Sequence, residues 1–235
     1  MYKTCIFDFY GTLCDIRTDE RKPELWEKLA LFYGFYGASY TPEELMNSYF
    51  ETVSELESRF SEIKIEQVFG SLFERKGVQA DETLAVHAGQ FFRILSIEHL
   101  RLYDGVKEML ESLHENGRKI YLLSNAQRIF TEFELKYLGI WFSFDDIFIS
   151  SDHNCKKPDS DFYQKLIDKQ NIDVSSAIMV GNDGTCDIAG AKDVGLHTLY
   201  IKSDISPDEP IPKADHVLMK PDMAAVGDEL LKEGA

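Results

Sequence analysis

From Leu102 to the C-terminus, short apolar runs alternate with amphipathic stretches, and this alternation constrains the fold of the 235-residue chain more than any other feature. Helical periodicity marks Val106 to Asn116, stopped by Gly117, then Ile129 to Leu138, closed by Gly139, then Ser160 to Gln170 and Asp187 to Val194. Strand-type runs fall between them at Lys119 to Leu123, Ile147 to Ile149, Ala177 to Val180 and His197 to Ile201. Val217 and Leu218 suggest a short last strand before a C-terminal helix. Strands alternating with helices predict a parallel sheet with helices on both faces.

One more strand, Lys3 to Phe9, stands apart at the N-terminus. Between it and Leu102 the pattern is helical and aromatic, from Thr18 to Ile94. Thr41-Pro42-Glu43-Glu44 and Asp81-Glu82 mark helix starts, because a hydroxyl or carboxylate caps the free N–H groups and proline fits the first turn. The expected organisation is a discontinuous α/β core, residues 1–15 and 97–235, with a helical cap of four or five helices, residues 16–96, inserted over the catalytic edge.

Four loops at strand or helix boundaries carry reactive groups. The first strand delivers Asp8 to a turn, Asp8-Phe9-Tyr10-Gly11-Thr12. Ser124-Asn125 follows the second core strand, Lys156-Lys157-Pro158 precedes a helix, and Gly181-Asn182-Asp183-Gly184-Thr185-Cys186-Asp187 follows another strand. Singly, each has a structural reading: Asp8 as a turn or helix cap, Ser124 and Asn125 as caps, Thr12 as a turn hydroxyl, Asp187 as a structural acid. Together, an acid, a hydroxyl, a lysine and an acidic pair at the carboxyl edge of a parallel sheet form a catalytic pattern.

In combination these motifs resemble those of the haloacid dehalogenase superfamily, from Lys3 to about Ile201. The resemblance implies an α/β, Rossmann-like parallel core with an inserted helical-bundle cap, and a hydrolase. It implies that Asp8 is the nucleophile of an aspartyl intermediate and that Ser124, with Asn125 beside it, holds an oxygen of the transferred group. Lys157, which directly precedes Pro158, neutralises nucleophile and substrate. Magnesium is implied at Asp8, the Tyr10 carbonyl and Asp183. Asn182 stands where many relatives have aspartate, so the acid is displaced by one position; Asp187 is either a metal ligand or the residue that orients Lys157. Arg59 and Lys64, in a polar break between cap helices, are candidates to reach an anionic substrate.

Tyr10 bears on the choice of reaction. Related phosphatases carry an aspartate there, which protonates the leaving alcohol and then activates water. A phenol with an ordinary pKa of about 10 is poorly matched to that cycle. A haloacid dehalogenase needs no such group, since halide leaves without a proton, and Asp-x-Tyr-Gly-Thr is the form its first motif takes. Two features oppose that reading: Leu31 to Tyr49 holds no arginine to bind halide, and the last motif has the additional carboxylate Asp183. The expectation is a magnesium-dependent phosphohydrolase of small phosphorylated metabolites, with a dehalogenase second and a weakened phosphometabolite- or partner-binding domain third.

A formal net charge of −16 disfavours nucleic-acid and anionic-membrane partners, and means that a small anionic substrate needs a local positive site. Four scattered cysteines and the lack of a leader-like or membrane-spanning run suggest a cytoplasmic protein with reduced thiols, a monomer or homodimer.

Overall fold

The computed structural model describes residues 1–232. The first strand, β1 (Thr4–Phe7), leads into β2 (Cys14–Thr18). Four helices follow: α1 (Pro23–Phe35), α2 (Pro42–Glu57), α3 (Ile65–Glu74) and α4 (Glu82–Ser96). The chain returns through β3 (Ile97–Leu102), α5 (Val106–Glu115), β4 (Lys119–Ser124), α6 (Arg128–Leu138), β5 (Asp146–Ile149), α7 (Ser150–His153) and α8 (Ser160–Gln170). Last come β6 (Ala177–Gly181), a wide helical turn from Gly184 to Ala189, α9 (Gly190–Asp193), β7 (His197–Ile201), β8 (His216–Leu218) and α10 (Met223–Leu231).

Six strands form one parallel sheet in the order β5-β4-β1-β6-β7-β8. Alternation along each strand divides the core between two faces. Cys5 and Phe7 of β1, Ile120 and Leu122 of β4, and Ile178 and Val180 of β6 pack with α5 and α10. Ile6, Tyr121, Leu123 and Met179 face the other way, onto Phe162, Tyr163 and Leu166 of α8. The fold class read from the sequence is thus the one observed. β1 is flanked by β4 and β6, so the chain's crossovers change direction at β1. The carboxyl ends of strands at such a switch point leave a crevice that α/β proteins use for ligands.

Three differences from the sequence reading have plain causes. β1 is shorter than Lys3–Phe9 because the chain turns out of the sheet at Asp8. Residues 14–18 and 97–102 were not expected to pair; they form an antiparallel two-stranded ribbon, and residue 16 lies within it. The mixed polarity of Cys14-Asp15-Ile16-Arg17-Thr18 hides so short a strand from periodicity. The helix expected from Asp187 begins at Gly184, because Asp183 caps it: its carboxylate accepts from the backbone N–H of Thr185 and Cys186 at 2.8 and 2.7 Å.

The four inserted helices enclose an apolar cluster of their own, centred on Trp26, Tyr33, Phe69, Phe73 and Phe92 and completed by Ile129 and Phe130 of α6. No helix among the described residues is long and apolar enough to cross a membrane.

Candidate active site

Asp8 leaves β1 with its backbone N–H still bonded to Val180 of β6 at 3.0 Å, so the sheet itself aims the side chain. The turn that follows is closed by bonds from Leu13 and Cys14 N–H to the Phe9 carbonyl. Gly11 adopts a φ of +77°, and a Cβ there would come within 2.3 Å of the Asn182 side chain. Glycine is therefore required twice over, for the left-handed backbone and for the close approach.

The two oxygens of Asp8 are treated differently. Oδ1 accepts from Ser124 Oγ at 3.0 Å and from the Lys157 ammonium at 2.7 Å. Oδ2 meets only Thr12 Oγ1, at 3.5 Å, the limit of a hydrogen bond. Lys157 also donates to Asp187 Oδ1 at 2.7 Å, and the other Asp187 oxygen accepts from the backbone N–H of Asn182 and Asp183, both at 3.0 Å. A Cβ on Gly181 would overlap that carboxylate, at 2.3 Å, so a bare backbone at the end of β6 makes its seat.

Burial opposes the charge on Lys157, but Asp187 and Asp8 outweigh it and raise its pKa, so the amine stays protonated. Burial pushes the Asp187 carboxyl up to about 6, with Lys157 pulling it down. The Lys157 loop is held by Asn125, whose amide accepts from the Lys157 N–H at 2.7 Å and donates to the Lys157 carbonyl at 2.8 Å.

The structure thus brings Asp8, Thr12, Ser124, Asn125, Lys157, Asn182, Asp183 and Asp187 to one sheet edge. Some expected roles change. Ser124 is fully buried beneath Asp8 and holds the acid; it does not line the cavity. Asn182 accepts from Thr12 at 3.3 Å and braces the turn. Asp187 is the partner of Lys157, one of the two roles expected of it.

The Tyr10 hydroxyl is not presented to Asp8. It donates to Glu134 Oε2 and lies 3.0 Å from Thr131 Oγ1, both on α6. Glu134 in turn accepts from Arg93 Nε of α4 at 2.6 Å. Burial, then the Glu134 carboxylate, raises the Tyr10 pKa well above that of a free phenol.

The cavity over Asp8 holds about 250 Å³. Larger cavities, one of about 700 Å³ between α4, β3 and α6, carry no comparable set of groups. The cavity over Asp8 is lined entirely by core residues, among them Ile205 and Pro207 from the loop after β7. No side chain from the inserted helices reaches it. Arg59, just past the end of α2, is exposed beside Glu55 of that helix, and Lys64 lines a different cavity, with Gln67 and Asn154. The reach expected of them is not observed, since the 60–65 segment turns toward α6 and Asn154.

Glu134, Arg93, Ile205 and Pro207 escaped the sequence reading, because nothing in their local pattern points to residues far along the chain. Tyr163, which donates to the Cys186 carbonyl, reads in sequence only as part of an apolar helix face. Burial, followed by Asp183 and Asp187, pushes the Cys186 thiol up to about 12, so it is a neutral wall of the cavity and no rival nucleophile.

Among the described residues no three His, Cys, Asp or Glu side chains cluster as a closed metal site. Asp8 and Asp183 nevertheless line one cavity, each with one carboxylate oxygen not committed to a strong internal bond. A hard divalent cation that keeps several waters asks for no more than one or two carboxylates. The donor set fits magnesium on that ground.

A family model described as haloacid dehalogenase-like hydrolase matches residues 2–195. HAD-hydrolase YfnB of Bacillus subtilis is 24% identical over 217 residues, 89% of this chain and 88% of that one. A glyceraldehyde 3-phosphate phosphatase of Methanothermobacter thermautotrophicus is 25% identical over 222 residues, 92% of this chain and 91% of that one. Among solved structures, a 2-haloacid dehalogenase of Pseudomonas syringae superposes with a TM-score of 0.68 at 20% identity, covering 98% of both chains.

Proposed function

The chain belongs to the haloacid dehalogenase-like hydrolases, and from that membership we propose that it is a magnesium-dependent phosphohydrolase of small phosphorylated metabolites, at work in the cytoplasm. The observation that carries the choice is the second carboxylate, Asp183, lining the same cavity as Asp8 and Lys157. Asp8, Asp183 and the Tyr10 carbonyl would hold the metal. When bound, it would offset phosphoryl charge and orient the phosphate.

The chain's own residues do the rest. Ser124 and Lys157 fix Asp8 Oδ1, which leaves Oδ2 as the attacking oxygen. The Oδ2–P bond forms as the bond from phosphorus to the alcohol oxygen breaks, and an aspartyl-phosphate results. Water then attacks phosphorus, releasing phosphate and restoring the carboxylate. Because the Tyr10 hydroxyl is bound to Glu134, the leaving alkoxide takes its proton from water in the cavity. Absence of a positioned acid costs about 10²–10⁴ in rate for poor leaving groups. Aryl phosphates are therefore expected to be hydrolysed much faster than alkyl phosphates.

A dehalogenase is the second reading, favoured by the same engagement of Tyr10, since halide departure needs no proton. A screen of phosphomonoesters and 2-haloacids, with magnesium and with chelator, separates the two. Phosphate release that chelator stops, and that Asp8→Asn abolishes in a folded protein, supports the first. Halide release that persists in chelator would displace it. Calorimetry adds a readout apart from turnover: Asp183→Ala is expected to bind magnesium at least about tenfold more weakly, by loss of one of two carboxylates.

A further inference from the structure

We infer that the substrate is a phosphate monoester whose leaving alcohol carries no second acid group, an inference that rests on the phosphohydrolase reading. The cavity is lined by three carboxylates, Asp8, Asp183 and Asp187, and by one cation, Lys157. Lys157 is 2% exposed, and its ammonium already lies 2.7 Å from both Asp8 and Asp187. Its charge is matched before any substrate enters.

Tyr10, Asn125, Asn182 and Cys186 complete the polar part of the wall without adding a cation. Ile205 and Pro207 add an apolar part to the lining, with the Ile205 side chain against Gly11. The same loop continues the negative border: Asp204 and Asp208 are exposed, and Glu209 Oε2 lies 3.5 Å from Thr185 Oγ1 beside Asp183. Three basic side chains on the surrounding segments already have carboxylate partners, and a fourth reaches a carbonyl. Lys156 lies 3.8 Å from Glu62, Arg93 pairs with Glu134, Arg128 pairs with Asp152, and Lys202 reaches the Pro207 carbonyl.

The phosphoryl group is excepted, because a metal at Asp8 and Asp183 would offset its charge. A carboxylate or second phosphate on the leaving group has no such counterpart and would lie against carboxylates and apolar carbon. Like-charge juxtaposition of this kind discriminates between substrates of similar size. Esters with a neutral or cationic leaving group meet no such penalty.

Three alkyl phosphates of similar size test this in magnesium buffer: glycerol 1-phosphate, phosphoethanolamine and phosphoglycolate. The first two are expected to have kcat/KM at least about tenfold above phosphoglycolate, by like-charge exclusion. That gap is expected to shrink as salt rises, because the border charges are solvent-exposed. Calorimetry on Asp8→Asn, which cannot turn over, is expected to give the same order of affinities. Ile205→Lys, at an exposed position, is expected to narrow the gap by raising phosphoglycolate hydrolysis. Phosphoglycolate equal to or better than the other two would overturn the inference while leaving the phosphohydrolase reading intact. An unchanged gap in Ile205→Lys would overturn it as well, since residue 205 would not face the leaving group. If no phosphomonoester is hydrolysed while a haloacid is consumed, both readings fall.

Discussion

Tyr10 follows Asp8 by two residues, yet its hydroxyl points into an ion pair between two helices. The Arg93–Glu134 pair is nearly buried, with Glu134 side-chain exposure at 5%, so its members depend on each other. Removing the carboxylate strands a guanidinium and a phenol together, whereas removing the phenol hydroxyl leaves the ion pair standing. Glu134→Ala is accordingly expected to cost about 3–5 kcal/mol of stability, and Tyr10→Phe about 1 kcal/mol. Urea denaturation measures both, and equal costs would contradict the view that the ion pair carries the network. Gly11 is the other sensitive residue. Gly11→Ala forces a side chain into the left-handed region, at about 1–3 kcal/mol, and into Asn182. Turnover is expected to fall more than stability, because Asn182 braces Thr12 beside Asp8. Unchanged kinetics in a folded Gly11→Ala protein would remove that turn from the description of the site.

The two-stranded ribbon joins the inserted helices to the sheet, and one carboxylate ties its strands. Asp15 of β2 lies 2.9 Å from His99 and 2.7 Å from Arg101, both on β3. Desolvation raises the Asp15 carboxyl, but bonds from His99 and Arg101 outweigh it and hold the pKa below the ordinary value. A carboxyl whose folded pKa is depressed adds stability above its unfolded pKa and loses it as pH falls through the folded one. Asp15→Asn is therefore expected to be less stable than wild type at neutral pH, by about 0.5–1 kcal/mol for a solvent-screened pair. The difference is expected to vanish in strong acid. Denaturation of both proteins at the two pH values checks it, and a difference that persists in acid would point to some cause other than the charge.

Across the whole molecule, the inserted helices rest on the sheet domain through few polar contacts, and Gln127 makes several of them. Its side chain accepts from the Ile65 N–H at 2.9 Å and donates to the Ile63 carbonyl at 2.9 Å and to Glu62 at 3.1 Å. Ser61 adds a bond to the Asn154 carbonyl. These contacts tie the 60–65 segment to the start of α6 and to Asn154. Gln127→Ala is expected to speed amide hydrogen exchange in that segment while β1, β4 and β6 stay protected, the pattern of local opening. Exchange unchanged at Ile65 would show that the segment is held by other contacts.

Local pattern was enough to read the parallel sheet, the inserted helices, and the loops bearing Asp8, Ser124, Lys157 and Asp187. A strand, a helix start and a glycine turn are written in neighbouring residues, and a parallel sheet with its connections brings successive strand ends to one edge. The partners of those residues were not legible. Tyr10 read as a phenol standing at the acid/base position and poorly matched to it, because its neighbours in sequence are Asp8 and the turn. Its partner Glu134 lies 124 residues away, and only packing brings the two together. Arg59 and Lys64 read as substrate-facing because they are cations in a polar break, and the fold turns them elsewhere. Ile205 and Pro207 read as an unremarked loop and become a wall of the cavity. Identity and spacing in the chain determined which reactive groups are present. Which oxygen of Asp8 is free, which acid holds Lys157 and what borders the cavity depend on distances across the sheet edge, which tertiary packing alone sets.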